Sequence, residues 1–217
     1  MSDIAQKADS IAFHFYTKLF YVVNHARATA EPTTPPKTDK WFNLETPDTD
    51  LFTREQKEPY KALLSSGSPI TSRPPRSLPP PINAPPFELQ VLLTIPELTH
   101  NQVLVVQDLD VPGGQRRRIE PTPRHILLET WTLQFSRDAS SVAQQPSAGG
   151  GEEIALPTIY KHGIPLFRSV FTLLRIMPSW KLHRRLRRNR NGAQFSIQVR
   201  VAPPSPPSTS SPGSSSS

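Results

Sequence analysis

The 217 residues contain no cysteine, which excludes a disulfide framework, a thiolate metal site and a cysteine nucleophile. No uncharged apolar stretch approaches the ~18 to 20 residues needed to cross a bilayer. The first ten residues, MSDIAQKADS, carry charge where a signal peptide would need an apolar segment. Neither a GxxxxGK[ST] loop nor a GxGxxG turn follows any strand pattern, so nucleotide binding has no motif behind it. The six histidines (His14, His25, His100, His125, His162 and His183) show no HxxxH or HExxH spacing. Asp108 and Asp110 lie beside a turn and read as solvated acids. Nothing here assembles the parts of an active centre. The expectation is a binding module without cofactor or metal, in a soluble cytoplasmic or nuclear protein.

Acidic side chains are missing from the C-terminal third, where Glu153 is the last. Beyond it stand Lys161, Arg168, Arg175, Lys181, Arg184, Arg185, Arg187, Arg188, Arg190 and Arg200, ten of the 25 basic residues. The remaining 15 meet all 18 acids, so the first 153 positions carry about −3 while the chain carries +7. Such an asymmetry favours an anionic partner and says nothing about fold.

Apolar residues make up only 35%, and 26 prolines are present. Both are clustered, which points to a compact core diluted by insertions. Residues 3 to 27 predict one long helix, with Ile4, Ala8, Ile11, Phe15, Leu19, Val22 and Ala26 at helical spacing. Its polar face has only two lysines, so a core helix fits better than a membrane-surface helix. WFNLE at 41–45 is a short apolar island, either a strand or an anchored loop. The Pro- and Ser-rich segment at about 66–86 and the Gly-Gly-Gly segment at about 138–153 read as flexible insertions, and 203–217 as a disordered tail. The first of these also has the composition of a polyproline ligand for an SH3-type domain.

FELQVLLTI and NQVLVVQDL predict paired strands, followed by a turn at Gly113 or Gly114. HILLETWTLQF predicts a strand burying Trp131, Leu133 and Phe135. A second helix is expected from Pro157 to about Met177, with Tyr160, Ile164, Phe167, Phe171 and Leu174 on one face. Pro165 predicts a kink or a later start, and Pro178 a stop. QFSIQVRV predicts a final strand burying Phe195, Ile197, Val199 and Val201. The fold class is therefore α+β, with long helices on a mainly antiparallel sheet.

KWFNLE, PPFELQVLLTIPELTHNQVLVV, HILLETWTLQF and above all IPLFRSVFTLLRIMPSWKL together resemble the N-terminal HORMA domain of the autophagy-related protein 13 family, fungal type. The resemblance covers about Ile4 to Val201 and implies a HORMA domain over 1–202. That fold has three helices on an antiparallel sheet and a C-terminal safety-belt region, here Lys181 to Val201. It further implies a non-catalytic scaffold of the autophagy-initiation protein kinase complex, acting in the cytoplasm at the preautophagosomal structure. The implied partners are the kinase itself, through a C-terminal region absent from these residues, the phosphatidylinositol 3-kinase complex, autophagy protein 9 and, as a HORMA heterodimer, autophagy-related protein 101.

The resemblance also implies an anion site, for which Arg116, Arg117, Arg118 and Arg200 are the candidates; a planar guanidinium suits phosphate. A solvated basic turn is the alternative. Candidate partner contacts are His162, Arg168 and Arg175, on a helix whose other face is buried. The run Arg184, Arg185, Arg187, Arg188 and Arg190 is expected in the loop entering the safety belt, as a basic surface facing a partner or an anionic membrane. Nucleic acid is the competing reading, but no aromatic residue interleaves the run between Trp180 and Phe195, and no reader motif is present.

Overall fold

A computed structural model describes residues 3–30, 37–63, 86–107, 114–135, 155–188 and 195–203. Asp108, Asp110, Gly113, Arg190 and nearly all of the two insertions and the tail fall outside them.

Helix α1 (Asp3–Arg27) has the expected bounds. Its middle is buried nearly all round, because Tyr16, Leu19, Phe20, Val22 and Val23 meet strands on one side and aromatic side chains on the others. Strands β1 (Thr38–Asp39) and β2 (Thr46–Pro47) flank a 3-10 turn, Trp41–Asn43. The apolar island is thus an anchored turn. Phe42 is fully buried at φ 56°, a left-handed conformation rare for a bulky residue. It is held there by packing: its ring stacks on Tyr160 and leans on Phe15 and Phe167, while its N–H donates to Tyr160 Oη at 3.1 Å. A Cβ added at Gly163 would stand 2.5 Å from this ring, so glycine makes the close approach possible. A short helix, α2 (Arg54–Lys57), follows, closed by a capping box between Thr53 and Gln56.

The main sheet has three antiparallel strands in the order β6-β3-β7: β3 (Phe87–Thr94) at the centre, β6 (His125–Leu133) and β7 (Ser196–Val201) at its sides. The expected pairing of FELQVLLTI with NQVLVVQDL does not form. Instead β4 (Val105–Gln107) pairs with β5 (Arg116–Arg118) in a separate ribbon whose residues are all exposed. The reason is packing: the central position beside α1 suits β3, whose Phe87, Leu89 and Val91 are buried, whereas β4 offers only valines half in water.

Strand β6 buries Glu129 and tucks in Trp131 and Leu133, and Phe135 just beyond its end packs on the same core, as the alternation predicted. A bulge opposite Val91 and Leu92 then shifts the register, so Leu128 joins the core while Leu127 is 54% exposed. Strand β7 buries Ile197 and Val199 as expected.

Helix α3 (Leu156–Ile176) runs through Pro165 without a break, so the later start does not occur. It buries Gly163, Phe167 and Leu174, and packs Tyr160, Ile164, Val170 and Phe171 against the core. Pro178 does follow its end, but the chain does not leave as a loop. It re-enters a helix at once, α4 (Pro178–Arg188), which carries the arginines. The stop and the start share one cause. Pro178 favours extended backbone in the residue before it, here Met177 at ψ 151°. It is also well suited to a helix's first turn, where backbone N–H groups make no intrahelical bond and proline's missing one costs nothing. This mixed arrangement of long helices on an antiparallel sheet is the expected α+β class and agrees with a HORMA-type fold.

Candidate functional surface

The inner faces of α1, α3, α4 and β6 are tied by one polar cluster. Arg27 is fully buried and donates from Nε to both oxygens of Glu129, at 3.0 and 3.1 Å, with Nη2 2.9 Å from Oε1. Its Nη1 donates to the Leu174 carbonyl of α3 at 2.7 Å, and Trp131 Nε1 donates to Glu129 Oε2 at 2.9 Å. Burial raises the Glu129 carboxyl, but hydrogen bonds from Arg27, Ser179 and Trp131 outweigh it and hold its pKa below the usual value. A second cation of α1, Lys18, is equally buried; it donates to Leu44 O at 2.7 Å and Thr46 Oγ1 at 3.1 Å and pairs with Asp39. Both groups fix the frame on which the outer surfaces stand.

One outer surface lies on α3. Ile159, Leu166 and Leu173 recur every seven residues and are 37%, 47% and 44% exposed. At 100° per residue they form one flank beside the buried stripe, and His162 joins it, three residues from Ile159 and four from Leu166. Arg168 and Arg175 fall on the opposite flank. The three partner candidates therefore divide between two surfaces. Arg175 Cζ sits over the Phe171 ring, 3.5 Å from its centre, and 5.8 Å from the Trp180 ring.

The second surface is α4. Leu182, His183 and Leu186 face the core, with His183 stacked on Trp180 at 5.1 Å and its Nε2 3.3 Å from the Ala28 carbonyl. Burial lowers the pKa of His183, which the Ala28 carbonyl only partly offsets. Arg184, Arg185, Arg187 and Arg188 are exposed on this helix, and Arg190 lies outside the described residues. The run is a helical face, not the expected loop.

Of the anion-site candidates, Arg116, Arg117 and Arg118 are exposed on β5 opposite Gln107, Val106 and Val105, and Arg118 pairs with Glu120. Arg200 sits on β7 in the main sheet, its Nε and Nη2 donating to Gln90 Oε1 at 3.1 and 2.9 Å. The four thus occupy two different sheets. Among the described residues, no group of three or more histidines and carboxylates is placed to hold a metal, and no helix is long and apolar enough to cross a membrane. The seven-residue recurrence of Ile159, Leu166 and Leu173 is visible in the sequence, but spacing alone does not separate this outward row from the core-facing stripe beside it.

A family model described as autophagy-related protein 13 matches residues 13–214. Autophagy-related protein 13 of Penicillium rubens is 26% identical over 212 residues, covering 90% of this chain and 20% of its own length. The Sclerotinia sclerotiorum protein of the same name is 30% identical over 205 residues, with shares of 86% and 20%. Autophagy protein 13 of Schizosaccharomyces pombe is 28% identical over 191 residues, with shares of 85% and 22%. The chain thus spans about a fifth of the length of these relatives. It belongs to the autophagy-related protein 13 family, and through that family to autophagy.

Proposed function

We propose that this chain is a non-catalytic scaffold domain of the autophagy-initiation kinase complex, working by protein–protein contact in the cytoplasm at the preautophagosomal structure. The observation that carries the reading is the outer flank of α3. Ile159, Leu166 and Leu173 stand half in solvent along a helix locked to the core by the adjoining stripe. A row of aliphatic side chains on a rigid helix offers apolar burial to a partner at small ordering cost. A second HORMA protein of the autophagy-related protein 101 kind is the proposed occupant. Recruitment of autophagy protein 9 and the phosphatidylinositol 3-kinase complex belongs to the same scaffold role. Contact with the kinase falls to a C-terminal region outside these residues.

The test is a pull-down of a purified second HORMA protein by the 217-residue chain and by its Leu166→Asp/Leu173→Asp variant. Wild type should associate at micromolar concentration and the variant at least about tenfold more weakly, since two desolvated leucines contribute several kcal/mol. Equal capture of both would remove this flank from the interface.

A further inference from the structure

Lys181, Arg184, Arg185 and Arg188 occupy positions i, i+3, i+4 and i+7 of α4. At 100° per residue they fall within about one third of the helix circumference. All four are exposed, and the stripe lies opposite Leu182, His183 and Leu186, which seat the helix on the core. None of the four makes an ion pair with a described residue. Arg187 is on another side of the helix. The charges therefore form a straight cationic ridge about 10 Å long on a helix that cannot turn to hide them.

We propose that this ridge is a docking surface for an anionic phospholipid bilayer, with Ile176 entering the headgroup boundary beside it. Three observations select a bilayer among polyanions. Ile176, five residues before Lys181 and at the corner where α3 gives way to α4, is 73% exposed. An apolar side chain there gains from an acyl boundary and nothing from a sugar–phosphate backbone. The ridge also has no aromatic side chain free to stack on bases, because Trp180 is already stacked on His183. Finally, a helix held by its apolar side lies parallel to the surface it presents, so all four cations reach one plane together.

The surroundings add to the positive potential. His25 at the end of α1 has its pKa lowered by burial and then by Arg175 and Arg187, so cations from α3 and α4 both act at this corner. Each cation near an anionic leaflet is worth about fivefold in affinity, and the contact weakens with salt.

Vesicle flotation tests the proposal on the 217-residue chain. Phosphatidylcholine vesicles are compared with vesicles also containing phosphatidylserine, and a single-stranded RNA oligonucleotide is assayed in parallel. Wild type should float with the anionic vesicles and not with the neutral ones. Lys181→Gln/Arg184→Gln/Arg185→Gln/Arg188→Gln should lose at least about tenfold in apparent affinity, and Ile176→Ser about fivefold. Circular dichroism confirms folding, and Arg184→Gln/Arg185→Gln serves if the fourfold variant is unstable. Flotation unchanged by removal of the cations overturns the proposal. So does equal binding to neutral vesicles, or RNA capture without vesicle capture. Unchanged flotation of Ile176→Ser overturns the bilayer assignment in favour of a general polyanion contact.

Discussion

On α1, Lys18 and Arg27 are fully buried, each against a carboxylate, and both donate to backbone carbonyls of other segments. On α4, Lys181, Arg184, Arg185 and Arg188 stand in solvent with no described acid beside them. The two sets are chemically alike and separated by what faces them. A cation taken out of water survives only where hydrogen bonds replace its hydration, so the α1 pair fixes the arrangement of neighbouring elements. A cation left in water costs the fold almost nothing and keeps its charge for an outside partner.

The sharpest way to break this contrast is Arg27→Met. It leaves Glu129 buried with Trp131 and Ser179 as its remaining donors, and should cost about 3 to 5 kcal/mol in chemical denaturation. Adding Glu129→Leu should recover much of that loss, because a buried pair contributes less than either half costs when orphaned. Lys18→Met should cost less, about 1 to 3 kcal/mol, since Asp39 retains some exposure to water.

Acid should act through the histidines that burial keeps neutral. His14, stacked on Trp41 at 3.4 Å, is lowered from 6.5 to about 4 by burial, and His25 and His183 are also lowered. With folded pKa values below unfolded ones, the unfolded chain binds more protons under pH 6.5. Stability should therefore fall from pH 6.5 toward pH 4, and His14→Phe should flatten that decline in a melting series. The smallest effect belongs to α4: its fourfold Gln variant should unfold within about 0.5 kcal/mol of wild type. A loss as large as that of Arg27→Met would end the comparison.

Legibility in the sequence followed the same division. Helix α1 was readable to the residue because many apolar positions agreed on one period. The buried stripe of α3 and the alternation of β7 were readable for the same reason. The bulge in β6 was not, because an extra residue in a strand leaves no mark on composition; it shows only when Val91 and Leu92 are set against Leu127, Leu128 and Glu129. The functional surface was half visible. The basic run announced itself, but its helical form depended on Pro178, which stops one helix and starts another with equal propriety.

Periodicity by itself determined where the long helices and the main strands lie, because each such element must present its apolar side chains to one face, and that demand is written locally. Tertiary structure alone decided that β3 takes the centre of the sheet between β6 and β7, that Lys18 and Arg27 go inside, and that four cations of α4 share one exposed ridge. Those outcomes depend on partners as far as 155 residues apart in the chain, as Ala28 is from His183. The energy that selects them, replacing water around an apolar strand or a buried charge, exists only once the elements have met.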